Sequence, residues 1–472
     1  MTNRHPFMTP LRTICFVMLT VPAARAAPVT THPRLWFTQA DLPRLRSWAV
    51  PSNPVWQGFS AALSQATANY NTKFFPGGAA AVPFPDTGGI DYTLYNVEGY
   101  AQFFAFASLV DPNVSSRPAH AQRARRLLMY AIAEAKKGVL TGAAFRDPQF
   151  STFNRANYWG EAWGLTVDWL QASGALTAQD LADIRSVFLL WANILLTAYN
   201  HPEPVGVVNS PSLLVNGSSH RHSLNNYYAG HARLITMMAL SFDAGTDPPL
   251  DTARPVMQLG NTIRSYLSNA TGAWLYQQYA IYEEESKVRS VLGIPTGGKA
   301  IGLGNGGLSC EGFLYGLSMG YVAQTLLALE TAGYGDAALT GPQAGLIRSP
   351  FWDQMVSGFL HSSGPAPKIF PGYAYMGPTW EVASYGDLLR NYISLDSTDR
   401  FLAVGVLAQA TGDAARAARC RWIMRDLTQG GAAQFSQRIS NIWSDANISR
   451  CLLHFLLFDP ALATPPDPRP AL

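Results

Sequence analysis

Apolar residues recur at spacings of three and four along most of the chain, the pattern of helices that bury one face. Leu181, Ile184, Phe188, Trp191, Leu195 and Tyr199 form one such stripe. It opens at Thr177 with Asp180 three residues on, a capping box in which each residue satisfies a free backbone donor of the other. Thr38 with Asp41 repeats the signal before Leu42, Leu45 and Trp48. The same reading predicts helices over residues 119–135, stopped by Gly138, and 157–170, stopped by Gly174. Others are predicted over 224–242, 255–267, 311–332, 401–411, 414–427 and 448–458, the last closed by Asp459-Pro460. No long alternating run appears, so strands are few. Loops rich in Gly and Pro fall at 76–89, 201–219 and 293–307. Short and long loops alternate between paired helices, which points to an all-α fold of helical hairpins set in a ring.

The N-terminus reads as a leader. Arg4 and Arg12 are followed by an apolar run, 13–24, broken by Pro22. Ala24-Arg25-Ala26 is a small-x-small cleavage site, so residues 1–26 are expected to be a signal peptide. The run is too short to span a bilayer, and no later stretch is long and apolar enough. The expectation is a periplasmic or secreted protein with no membrane insertion. Without the leader's three arginines, basic and acidic side chains balance at 31 each. No global field draws the chain to nucleic acid. Of the four cysteines Cys15 leaves with the leader. Cys420 and Cys451 are either a disulfide or, with Cys310, buried thiols. No spacing resembles a zinc site. The chain shows no internal linker; residues 27–460 read as one domain, and 461–472 as a Pro-rich tail.

Five segments carry a resemblance. His32-Pro33-Arg34-Leu35-Trp36-Phe37-Thr38 is the first. Gly164-Leu165-Thr166-Val167-Asp168-Trp169-Leu170 is the second, Asn225-Asn226-Tyr227-Tyr228 the third, Cys310-Glu311-Gly312-Phe313-Leu314-Tyr315 the fourth, and 452–460 the last. In this order the chain resembles the heparinase II/III and alginate-lyase group of polysaccharide lyases. The resemblance implies an incomplete (α/α) toroid with an open cleft. It implies cleavage of a uronic-acid-containing polysaccharide, alginate-like or glycosaminoglycan-like, by β-elimination, with no metal or organic cofactor.

That chemistry sets requirements. The proton on C5 lies α to a carboxylate and is weakly acidic while the carboxylate keeps its charge. Donors must neutralise the carboxylate, a base must take the proton, and an acid must serve the leaving oxygen. On the family pattern Asn225 or Asn226 holds the carboxylate, and Tyr282, 55 residues beyond Tyr227, transfers protons. Tyr227 stands where the family places a His. His231, one turn beyond Tyr227, or His220 and His222 on the preceding loop, would supply an imidazole. Glu311, Tyr315 and Trp380 are further candidates for binding the polysaccharide.

Each residue also has a purely structural reading. Asn225 and Asn226 suit helix N-caps. Tyr282 and His231 suit a core, Trp380 suits packing, and Asp168 beside Trp169 reads as structural. Two other functions compete. A glycoside hydrolase would need two facing carboxyl groups, from Glu311, Glu381 or Asp168. A catalytically inactive envelope glycan-binding protein would fit the Tyr at 227.

Overall fold

The computed structural model describes residues 28–86, 94–141, 154–197, 226–243, 318–372, 378–383, 395–428, 448–463 and 465–471, with a few isolated positions between. Residues 1–26, expected from the sequence to be a signal peptide, lie outside them. So do the predicted helix over 255–267, most of the loop over 293–307 and nearly all of the segment 310–317.

The described chain is mostly helical, with a single two-stranded sheet. In chain order the principal helices are α1 (Leu42–Trp48), α2 (Pro54–Asn69), α3 (Val97–Val110), α4 (Arg117–Thr141), α5 (Asn154–Trp159), α6 (Ala162–Ala172) and α7 (Ala178–Thr197). They continue with α8 (Asn226–Leu240), α9 (Ser318–Thr331), α10 (Phe351–Ser362), α11 (Leu395–Ala410), α12 (Ala414–Trp422) and α13 (Ile448–Leu457). Strands β1 (Ser363–Lys368) and β2 (Thr379–Val382) pair antiparallel. Among the described residues no helix is long and apolar enough to cross a membrane.

Both capping boxes form as the sequence predicts. The Asp180 carboxylate accepts from Thr177 N–H at 2.8 Å while Thr177 Oγ1 accepts from Asp180 N–H at 3.1 Å. Asp41 accepts from Thr38 N–H at 2.9 Å. Two expectations need correction. Gly138 does not stop α4, which runs on to Thr141; a glycine inside a helix weakens it without breaking it. And α2, α3, α10 and the hairpin were not anticipated from the pattern.

Two kinds of helix alternate. All fourteen residues of α3 and all ten of α13 are buried, as are residues 162–170 of α6, 229–240 of α8 and 318–329 of α9. A helix apolar all round must lie inside. The helices α4, α7, α10 and α12 bury one face only. Each buried helix packs on the next: α3 on α6, α6 on α8, α8 on α9, α9 on α11, α11 on α13, and α13 back on α3. They run in the same direction. Arg233, midway along α8, meets Glu161 just before α6, and Gln171 meets Ser241 near the ends of both helices. Asp399 meets Arg450 near the starts of α11 and α13, and Gln409 meets Leu457 near their ends.

The C-terminal ends of these helices are closed by the N-terminal segment. Asp168 on α6 receives Arg34 N–H and Leu35 N–H, both at 3.0 Å, on Oδ2, and His32 Nδ1 at 2.6 Å on Oδ1. Arg34 donates to Leu240 O at 3.0 Å and Asp243 at 2.6 Å. Phe37 packs on Trp169 and Phe106, and Trp48 on Phe455. The first two segments of the resemblance are thus locked to each other.

Candidate functional site

The N-terminal segment closes one end of the parallel helices with apolar rings and the buried Asp168 network, and the opposite end gathers further buried polar groups. The N-terminal turns carry Asn96 and Glu98 (α3), Glu161 (before α6), His231 and Arg233 (α8), Ser318 (α9), Thr398 and Arg400 (α11), and Ser449 and Arg450 (α13), all buried. At the other end the described connections are short, such as 173–177 and 411–413.

Among the described residues three ionic clusters sit at this end. Arg155 donates from Nε to Glu98 Oε1 at 2.9 Å and from Nη2 to Asp86 at 2.7 Å. All three side chains are essentially inaccessible. Burial pushes Glu98 above its ordinary value despite the guanidinium. Burial alone would lower Arg155, but the two carboxylates hold it above its usual range. In the second cluster Arg233 Nη1 lies 3.0 Å from Glu161 and donates to Gln324 at 2.6 Å. Its guanidinium stands over the Tyr321 ring, 4.0 Å from the centroid. Burial pushes the Tyr321 phenol well above its ordinary value, with the Arg233 guanidinium acting the other way. In the third, Arg450 makes two 2.7 Å bonds to Asp399.

No family model matches the chain, and no curated protein matches it. The site therefore has to be argued from its own residues.

Asn226 opens α8, and Asn226 and Tyr227 occupy its first turn as backbone positions. His231 lies one turn on and is 1 % exposed. Helical spacing puts Tyr227 and His231 on one face, and Arg233 two turns below Asn226 on another. Trp380 on β2 is half-buried and donates from Nε1 to Asp426 O at 3.1 Å. The Arg469 guanidinium covers its ring at 4.4 Å. Asn225, His220, His222, Tyr282, Glu311 and Tyr315 lie outside the described residues, as do the side chains of Asn226 and Tyr227.

Of the carboxylates available to a hydrolase, Asp168 is fully buried and bonded on both oxygens to the N-terminal segment, and Glu381 is paired with Lys368 at 2.5 Å. Cys420 and Cys451 are free and buried, and burial pushes the Cys420 thiol up to about 12. Among the described residues no group of three His, Cys, Asp or Glu is placed to hold a metal ion.

The pattern did not single out Glu161, Arg233, Gln324, Tyr321 or the Asp86–Glu98–Arg155 cluster. A signal existed: Glu98 and Gln102 interrupt an apolar helical run, and Arg233 precedes Leu234-Ile235-Thr236-Met237-Met238. An isolated charge in a helix apolar all round must be paired inside the protein.

Proposed function

We propose that this chain is an exported polysaccharide lyase that cleaves a uronic-acid-containing polysaccharide by β-elimination, on an incomplete (α/α) toroid. The observation that carries the reading is the gathering of buried charged and polar groups toward the N-terminal ends of six parallel buried helices. Asn226, Tyr227, His231 and Arg233 share the first turns of one of them. Helix N-termini direct free N–H groups and partial positive charge toward an anion, which suits a carboxylate that must be neutralised. The resemblance of the Asn225–Tyr228 segment to the lyases supplies the roles. Asn226 neutralises the uronate carboxylate, Tyr282 takes or gives the proton, and His231 with Tyr227 completes the donor network. The Arg233–Glu161–Gln324 cluster beneath holds α8 against α6 and α9, fixing the direction in which its first turn points.

The test is a substrate panel of alginate, heparin, hyaluronan and pectin, read by the ultraviolet absorbance of the unsaturated uronate that β-elimination leaves. New absorbance is expected for one carboxylate-rich member. Reducing ends without absorbance would mean hydrolysis, and binding without either would mean a glycan-binding protein. Tyr282→Phe is expected to lose most turnover with folding intact, since only a hydroxyl is removed. Asn226→Ala is expected to cost about 10²–10³ in kcat, the usual worth of one donor to developing charge.

A further inference from the structure

The outer wall of the helical array carries a run of positive charge that its own carboxylates do not balance. Residues 112–133 hold four arginines and no acidic residue. Arg125 is paired with Asp180 at 2.9 Å. Arg117, Arg123 and Arg126 on α4, with Arg46 on α1, form no ion pair among the described residues. Their bonds go to neutral acceptors instead. Arg46 donates to Leu109 O at 2.9 Å, Arg117 to Asp111 O at 2.7 Å, and Arg126 to Gly78 O. Arg123 lies 3.2 Å from His120 Nδ1.

The four form one stripe. Partial burial, and then repulsion from Arg46, holds the Arg117 guanidinium below the usual arginine range, against the pull of Asp111. The Asp111 carboxylate is taken up by His120 Nε2 at 2.9 Å, and His120 leads on to Arg123. Arg123 and Arg126 both face Tyr70. Arg126 also stands over Phe75, 4.2 Å from its centroid, and Arg123 over Phe104 at 5.8 Å. All three rings are buried, while Arg126 is exposed and the other three arginines are half-buried. A guanidinium stacked on a ring has lost much of its rotamer freedom before a ligand arrives. Its remaining N–H edge offers the paired donors that fit a carboxylate.

Like charges set side by side repel until an anion lies against them. From Arg117 to Arg126 the stripe covers nine positions of α4, about 13 Å along the helix. An anion that meets all four must therefore repeat its charge along a line. The rings beneath are covered by the guanidiniums, so they offer a nucleic-acid base nothing to stack on. Because α4 packs back along α3, the stripe starts beside the closed end of the helices and runs toward the end that bears Asn226.

We propose that Arg46, Arg117, Arg123 and Arg126 form a non-catalytic docking track for a linear polyanion, an acidic polysaccharide chain laid along the outside of the helices. The choice of polysaccharide rests on the lyase reading; the polyanion track itself does not.

The experiment is fluorescence anisotropy of labelled oligomers of alginate, hyaluronan and polygalacturonate with the full chain. Dextran serves as the neutral control, and single- and double-stranded DNA as the other polyanions. Tyr282→Phe is the background, so that nothing is cut during the titration. At least one acidic oligomer is expected to bind, and to weaken at least fivefold between about 50 and 200 mM NaCl. Dextran and DNA are expected to bind at least tenfold more weakly. Arg123→Gln with Arg126→Gln is expected to lower the affinity at least fivefold. Ala119→Glu with Gln122→Glu keeps every arginine and every stacked ring. Both positions are exposed, and each new carboxylate lies one turn before an arginine, at Arg123 and Arg126. That pair is expected to keep the wild-type thermal midpoint and lose at least fivefold in affinity, which covers the case of a misfolded arginine variant. Failure of every acidic oligomer to bind, equal binding of dextran, tighter binding of DNA, or wild-type affinity in Ala119→Glu/Gln122→Glu would overturn the proposal. Binding that these variants weaken, in a wild-type chain that cuts nothing, sinks the lyase reading alone. A chain that cuts polymer with an affinity indifferent to them sinks this one alone.

Discussion

Asp168 is a carboxylate whose value lies in what it accepts. Two backbone N–H groups and an imidazole converge on it, and it is wholly buried. Asp168→Asn would put an amide where only acceptors fit, leaving a buried donor unmatched. A loss of about 2–4 kcal/mol is expected, read as a lower urea midpoint with the same slope. The sequence marked this residue as structural, but its partners are 133 to 136 positions away, beyond any local pattern. His120 offers a pH test. Burial drives its imidazole below the ordinary 6.5, outweighing the Asp111 carboxylate 2.9 Å away. The folded protein therefore binds fewer protons here than the unfolded chain. Its contribution is whole above about pH 6.5 and is lost as the pH falls from there toward the folded value, by at most about 1.4 kcal/mol per pH unit. Urea midpoints between pH 7 and pH 5 should fall less steeply in His120→Gln.

Helices that bury one face were legible because they carry a stripe, and α7 with its capping box is the clearest case. The helix α3 was not, because Val97-Glu98-Gly99-Tyr100-Ala101-Gln102-Phe103-Phe104 has no polar side to set against an apolar one. The amphipathic α10, with Phe351, Trp352, Met355, Val356, Phe359 and Leu360 buried, carries the same kind of stripe in its sequence. The strands of the hairpin, six and four residues long, are too short for alternation to register. Helix contacts also rest on absent side chains. A Cβ at Gly164 of α6 would lie 2.5 Å from the backbone carbonyl of Met237 on α8. Backbone cannot yield as a side-chain tip can, so Gly164→Ala must push the two helices apart. A cost of about 1–3 kcal/mol is expected, with faster amide exchange along α6 and α8. Gly174→Ala, at φ 68° in open space, should cost about 1 kcal/mol by strain alone and leave that exchange unchanged.

At the scale of the molecule, the mostly helical character was legible from recurring caps and stripes, and the candidate site only along one helix. Spacing alone put Tyr227 and His231 on a common face of α8. The charges that hold α8 in place come from α6 and α9, and no spacing within one segment reveals a pairing such as Arg233 with Gln324, 91 residues apart.

The packing of α13 on both α11 and α3 bears on how the chain reaches its native state during synthesis. In a linear array of helical repeats, removing a terminal unit subtracts that unit's share of stability and leaves the rest standing. Here α13, synthesised after the other buried helices described, covers α3, and Phe455 is the contact that Trp48, Trp56, Phe59 and Phe106 all share. A chain ending before residue 448 would have those four rings facing water, with no shorter version of the same architecture to fall back on. It should show no cooperative melting transition rather than a lowered one. The growing polypeptide must likewise carry its early aromatic surface uncovered until α13 has emerged, a long interval in which aggregation competes with folding.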